Sequence, residues 1–247
     1  MKQRGRCMSK EIVVLDIETI PDPDCVPLLK PIPLPDLSAI KPDGRVTDAV
    51  KIAASIEKKT ADAMAKHEEE KAAQIRDMWK NVKQNIPICI GWDDGKDHGS
   101  FFLPASDNSL KAQGAMLTEF WSFIAAKGYD HFVTFNGISF DIPCLELRSM
   151  KARVRPTVKI DCGMYRITNH TDCRMVLGKW DRMAKGSLDY YMRYFDLSSG
   201  KDGIDGSMVQ DFYRRGEAGE RIIRAYCEKD CRDTLLLYGR IRDYMIL

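Results

Sequence analysis

Asp16 and Glu18 stand two residues apart, directly after the apolar run Ile12-Val13-Val14-Leu15. Residues two apart in an extended strand leave the same face. The two carboxylates are therefore held close, and each disfavours ionisation of the other. A divalent metal is the usual remedy, because hard cations take carboxylate oxygens. A strand that ends in solvent with two exposed acids is the plainer outcome of the same letters. What separates the two outcomes is whether further acids reach the same place. Asp141 follows the short run His131–Phe135 and the turn Asn136-Gly137, so it sits at a strand's C-terminal end, where open α/β sheets hold their sites. Asp230 comes four residues after Tyr226, and that spacing turns both side chains to one face of a helix.

The elements that must position these groups are readable in outline. Four aliphatic residues in a row predict a strand over 12–15 buried on both faces, with Asp16 and Glu18 at its end. Prolines at 21, 23, 27, 31, 33, 35 and 42 favour an extended path, as a linker or a loop wrapping its own domain. Residues 46–83 place Ile52, Ile56, Met64, Ile75, Met78 and Trp79 at broadly helical spacing among Ala, Lys and Glu. They predict one long helix or a pair with a solvated outer face. Ile86–Trp92 and Gly99–Leu103 read as a hairpin around Asp94-Gly95. Leu110–Lys127 reads as an amphipathic helix burying Met116, Leu117, Phe120, Trp121 and Ile124, closed by Gly128. Asp141 has the chemistry of an N-cap, and Pro143 suits the first turn of the helix behind it. A last helix over about 217–244 must bury Ile223, Leu235 and Leu236, which leaves Asp230 near an interface and in need of a partner. One strand, a hairpin, then helix and strand imply a mixed sheet with helices packed on it. The whole chain, 1–247, reads as one domain with a helical insertion at about 45–84.

The chain has 247 residues, 44% apolar, and a net charge of +2, ordinary for a globular protein. Charge is uneven: Leu147–Ser187 holds ten Lys/Arg against three acids. Such a stretch steers a polyanion or forms a solvated loop face. The eight cysteines include no C-x-x-C pair. Cys162, His170 and Cys173 lack a fourth zinc ligand at sensible spacing, and reduced thiols in the cytoplasm are the default. Met1–Lys10 is basic with no apolar run behind it, and no stretch has the length of a membrane span.

Taken together, "VVLDIET", "FVTFNGISFD" and "YCEKD" resemble the three motifs of the DEDD 3′–5′ exonucleases of the ribonuclease H-like superfamily, in the subgroup with tyrosine in the third motif. The likeness extends to the proofreading exonuclease domain of family B DNA polymerases, and more narrowly to stand-alone predicted PolB-like exonucleases without a polymerase. It runs from about Ile12 to Arg240 and includes Ser187-Leu188-Asp189 and the Gly206-Ser207 stretch. The resemblance implies a mixed five-stranded sheet flanked by helices. It implies that Asp16, Glu18, Asp141 and Asp230 hold two Mg²⁺ or Mn²⁺ ions and that Tyr226 orients the attacking water. Backbone around Glu18-Thr19 would hold the terminal 3′ nucleotide, with Asn136 and Phe140 lining its pocket.

Phosphodiester hydrolysis places negative charge on the attacking and leaving oxygens at once, and paired divalent ions stabilise both. A phenol with an ordinary pKa of about 10 is a poor base at neutral pH, so Tyr226 is expected to position rather than deprotonate. Bases of a single strand stack on aromatic walls with little sequence demand; Phe135 and Phe140 are candidates, and Lys201 is placed to reach a phosphate or to lie in a plain surface loop. The expected activity is release of mononucleotides from single-stranded DNA, alone or beside a separate polymerase or repair protein. The alternatives are an exoribonuclease, since discrimination rests on the 2′-OH, and a silent nucleic-acid-binding protein. A silent module would not need all four acids and the tyrosine.

Overall fold

The protein is described by a computed structural model covering residues 11–245, except 43, 45, 46, 166, 182, 184 and 198–202. Met1–Lys10 and Lys201 lie outside these residues, as do Arg166 and Arg182 of the basic stretch. The chain opens on β1 (Ile12–Pro21), then α1 (Ala49–Arg76), β2 (Asn85–Asp93), β3 (His98–Phe102), α2 (Leu110–Lys127), β4 (His131–Thr134) and α3 (Asp141–Lys151). β5 (His170–Asp172), α4 (Cys173–Leu177), α5 (Leu188–Tyr194), α6 (Val209–Tyr213) and α7 (Glu217–Met245) follow. The five strands form one sheet in the order β3-β2-β1-β4-β5. β1 pairs antiparallel with β2 and parallel with β4, so the sheet is mixed.

β1 is central because its apolar residues serve both faces. Val13, Leu15 and Ile17 join the main core with α2 and α3, while Val14 joins a second core beneath α4, α5 and α7. The strand runs six residues beyond the expected end at Leu15. Asp16 and Glu18 therefore lie inside it, opposite Gly91 and Cys89 of β2, with a register shift after Glu18. α2 buries Met116, Leu117, Phe120, Trp121 and Ile124, and Gly128 closes it with φ 67° and an N–H bond to Ile124 O. α1 lies between β1 and β2 in the chain and buries one residue, His67. The proline-rich segment is tied to it where Lys59 Nζ donates to Lys41 O and Gln74 Nε2 to Lys30 O.

Part of the basic stretch is turned inward. Arg148 is buried and donates to Asp22 Oδ2 at 2.7 Å and Gln113 Oε1 at 3.1 Å, and also to Asn85 O; Lys151 reaches the same Asp22 oxygen at 2.8 Å. These cations fix α3 to the end of β1. No helix among the described residues is long and apolar enough to cross a membrane, and every described cysteine is free.

Candidate active site

The parallel ladder between β1 and β4 ends at Val14 opposite Val133, while the ladder with β2 runs on to Pro21. Asp16–Thr19 thus have β2 on one side and an open flank on the other. The chain leaving β4 turns at Asn136-Gly137 and brings α3 back to that flank. Asp141 Oδ1 accepts a hydrogen bond from Ile17 N at 3.1 Å, filling the place of a ladder bond that β4 no longer offers. Asp141 is not the N-cap expected from sequence. Phe140 holds that position without a side-chain capping bond, and Asp141 is the first helical residue. Its carboxyl is committed to β1.

The third arm of the site is α7, which crosses the sheet over Gly91. A Cβ built at Gly91 would lie 2.8 Å from Cys227 Sγ, 3.0 Å from Cys231 Sγ and 3.2 Å from Cys227 O. Only the missing side chain lets the helix come this close. Cys227 and Cys231 form the docking stripe with Ile223, Thr234, Tyr238 and Ile241. Tyr226 and Asp230 lie one position N-terminal to those two cysteines and are turned toward the open side. The stripe also corrects one expected core residue: Leu236 falls out of phase with it and is exposed.

These three arms bring Asp16, Glu18, Asp141, Tyr226 and Asp230 within reach of each other's charge. Burial pushes the Asp16 carboxyl well above its ordinary value, and the charges of Asp141, Asp230 and Glu18 push it further, against a hydrogen bond from the Cys227 thiol. Glu18 is raised by burial, then by Asp230, Cys89 and Asp141. Burial drives Asp141 up to about 7, against the backbone N–H groups bonded to it. Tyr226 is pushed upward by burial, then by Asp230, Glu18 and Asp16, and its O–H bonds to Asp230. It is a phenol that keeps its proton.

Asp16, Glu18 and Cys227 offer ligand atoms all within 4.8 Å of one another. No other His, Cys, Asp or Glu group among the described residues is drawn together tightly enough to hold a metal. The two carboxylates of this group fit a divalent cation, being hard oxygens that repel each other until something positive arrives. The Cys227 thiol, pushed upward by burial, keeps its proton and donates to Asp16 instead. Cys162, His170 and Cys173 form no such group. His170 is engaged with Thr134 Oγ1 through Nε2 and with Asp161 O through Nδ1.

Tyr226 and Asp230 also line a cavity of about 440 Å³, together with Phe135 and Asn136 beyond β4, Arg174, and Ser187-Leu188-Asp189 at the start of α5. Asn136 has φ 70°, and one acceptor and one donor hold it there. Its N–H and that of Ile138 bond to the buried Asp172 carboxylate at 2.9 and 3.0 Å, and its Oδ1 accepts from Arg174 Nη1 at 2.7 Å. Thr19 and Phe140 are not among the residues that line this cavity. Thr19 Oγ1 donates to Trp79 O at 2.9 Å, and Phe140 packs on the main core. Asp172, Arg174, Gly91 and Cys227 were not singled out from sequence. For Cys227 and Cys231 the signal is their i, i+4 spacing, each one position after Tyr226 and Asp230.

A mixed five-stranded sheet of this order, with carboxylates gathered at its central strand, defines a ribonuclease H-like α/β fold. The chain belongs to the family of predicted 3′–5′ exonucleases related to the exonuclease domain of PolB, whose model matches residues 82–245. Among solved structures it is similar to the family B DNA polymerase from the hyperthermophilic archaeon Pyrobaculum calidifontis. The TM-score is 0.57 at 14% identity, over 94% of this chain and 24% of that one. The chain thus spans about a quarter of the polymerase's length. Comparison with curated proteins gives no match.

Proposed function

We propose that this chain is a metal-dependent 3′–5′ exonuclease that hydrolyses single-stranded DNA from its 3′ end and releases nucleoside monophosphates. The observation that supports the reading is the charge repulsion that reaches Asp16 and Glu18 from Asp141 and Asp230, on two other elements, on top of the burial that raises the first two and Asp141. Asp141 and Asp230 lie outside the tight Asp16–Glu18–Cys227 group and would close on the ions when these bind. Asp16, Glu18 and Asp141 have no Lys or Arg ion pair among the described residues. Buried acids without a cation cost stability, and binding divalent ions is a use that offsets the cost. Two Mg²⁺ or Mn²⁺ ions would supply charge at the attacking and leaving oxygens of the phosphodiester.

The chain's own groups then have distinct tasks. Asp16 and Glu18, from one strand, and Asp141 and Asp230, from two helices, would hold the ions. Tyr226, protonated and with its O–H given to Asp230, would orient the attacking water by accepting a hydrogen bond at its hydroxyl oxygen and does not remove a proton. Asn136, held by Asp172 and Arg174, presents its amide to the terminal nucleotide in the cavity. Outside that cavity, the backbone at Glu18-Thr19 and the Phe140 side chain are the further contacts assigned to the terminal nucleotide. Residues 1–247 act as one exonuclease unit, with α1 an insertion outside the site.

The test is end-labelled DNA and RNA of one sequence, digested with Mn²⁺ or Mg²⁺ beside an Asp16→Ala control. A 5′-labelled DNA strand should shorten stepwise from its 3′ end, and the control should leave it intact. Equal digestion by the control, or shortening from the 5′ end, would overturn the reading; faster loss of the RNA would replace the substrate.

A further inference from the structure

α5 carries an aromatic surface that none of these roles uses. Tyr191 and Met192 turn inward to the second core, while Tyr190 and Tyr194, one helical turn apart, are 50% and 67% exposed. Their rings are nearly parallel, with centroids 5.9 Å apart and planes at 16°. The pair is not isolated. Phe135, on the cavity wall, meets Tyr191 edge-on at 6.2 Å, and Tyr191 meets Tyr190 edge-on at 5.3 Å. Four rings thus run without a break from the cavity to solvent. Gly186, also on the cavity wall, makes room for this line. At φ 142° it packs under the Tyr191 ring, and a Cβ there would lie 2.6 Å from that ring.

We propose that Tyr190 and Tyr194 are a stacking platform for the bases of a single DNA strand upstream of its 3′ terminus. The proposal rests on the exonuclease reading and specifies how that site takes its substrate. A terminal nucleotide seated in the cavity leaves the rest of its strand to exit along the start of α5, since Ser187, Leu188 and Asp189 form that rim. Exposed, parallel aromatic faces at that exit suit unpaired bases, whose π-faces are free. A duplex hides them, so the platform selects single strands. Stacking reads no sequence, as an enzyme that removes every nucleotide in turn requires. That the strand is DNA comes from the exonuclease reading, and comparison with an RNA 12-mer decides it. Arg193, between the two tyrosines in sequence, is paired with Asp189 at 2.6 Å.

The experiment compares the affinity of wild type, Tyr190→Ala/Tyr194→Ala and Tyr190→Phe/Tyr194→Phe for a labelled DNA 12-mer, a DNA 3-mer, a 12-bp duplex and an RNA 12-mer, by anisotropy in Ca²⁺. Melting curves check that each variant is folded. The alanine pair should bind the DNA 12-mer roughly tenfold more weakly, from the loss of stacking, and should lose most of the advantage of the 12-mer over the 3-mer. The phenylalanine pair keeps the rings and should stay within about twofold of wild type. Unchanged 12-mer affinity in a folded alanine pair, equal loss in the phenylalanine pair, or a larger effect on duplex or RNA would overturn the proposal. Hydrolysis of the same 12-mer in Mn²⁺ is scored separately. A chain that cleaves DNA but is indifferent to the two tyrosines loses the platform alone. A chain that holds the strand through them and never cleaves it loses the nuclease reading alone.

Discussion

Two groups of buried carboxylates flank the same strand, and the fold treats them in opposite ways. Asp22, just after β1, is 1% exposed and lies within 2.8 Å of both Arg148 and Lys151. These cations outweigh burial and hold its carboxyl below the ordinary range. Glu18, four residues earlier and 7% exposed, and Asp141, 3% exposed, are raised instead. The chain is able to bury an acid with its counter-charge and does so at Asp22. Leaving the neighbouring acids to repel one another is therefore a property of that place, and the proposed metal site is a use for it.

Removing an acid from the two groups should have opposite consequences. Asp230→Ala is expected to lower hydrolysis on the order of 10³-fold or more, since it takes away several kcal/mol of transition-state charge stabilisation. In EDTA the same variant should melt no lower than wild type, because it relieves repulsion on Asp16 and Glu18. Retained turnover would remove Asp230 from the site. Arg148→Met breaks the balanced group and leaves Asp22 buried with Lys151 alone. A loss of about 3 kcal/mol is expected by urea unfolding, the lower end for a broken buried pair. The double variant Arg148→Met/Asp22→Leu should recover much of it, because replacing a whole buried pair by apolar groups is often neutral.

The same contrast predicts pH slopes of opposite sign. Asp141 moves from an ordinary 3.8 to about 7 in the fold. Between those values the folded state holds the proton that the unfolded chain has released, so stability falls as pH rises through the window. Asp16 and Glu18, raised well above their ordinary values, extend the fall upward. Asp22, lowered from 3.8, contributes stability that is present above 3.8 and lost as pH falls through its folded value. In EDTA, melting temperature should therefore decline from about pH 4 to 7 and above. Divalent metal at ~100 times its Kd adds about 2.7 kcal/mol, roughly 5–10 °C for a domain of this size, and the gain should grow with pH as protons leave. A metal-free curve that rises across that window would contradict the assignment of the repelling group.

How far such features were legible depends on which side chains do the docking. α2 could be read residue by residue because its buried face is apolar at helical period. β5 could not: His170, Thr171 and Asp172 are polar and fully buried. They are stable there because His131 Nε2 meets Thr171 Oγ1 at 2.8 Å, Thr134 Oγ1 meets His170 Nε2 at 2.9 Å, and Asp172 takes backbone N–H groups. Hydropathy has no signal for a strand whose core is a hydrogen-bond ladder. At the site, the acids stood out by spacing. The direction in which Asp141 points did not, since capping its own helix and bridging to Ile17 use the same residue type. Leu236 and Leu237 are equally apolar, and only the phase set by Cys227, Cys231 and Thr234 shows that Leu237 is the one buried and Leu236 the one exposed.

Tyr226→Phe should reduce turnover by about 10- to 100-fold with a smaller change in KM, the pattern of a group that acts after binding. Its raised pKa implies that no limb of the pH–rate profile belongs to the phenol, so the variant's profile should keep the wild-type shape. A lost limb would make Tyr226 a base. The mildest test touches neither acid group. Gly91→Ala places a methyl against Cys227 and Cys231, and the helix must give by a few tenths of an ångström. Overpacking of this kind costs about 1–3 kcal/mol. The displacement acts on α7 alone, so it should move Tyr226 and Asp230 relative to Asp16 and Glu18 while leaving Asp22, Arg148 and Lys151 untouched. The expected signature is weaker metal-induced stabilisation together with slower hydrolysis, and an unaltered stability loss when Arg148→Met is added to it. A variant that loses stability but keeps wild-type metal response would mean that the close approach of α7 at Gly91 serves packing only.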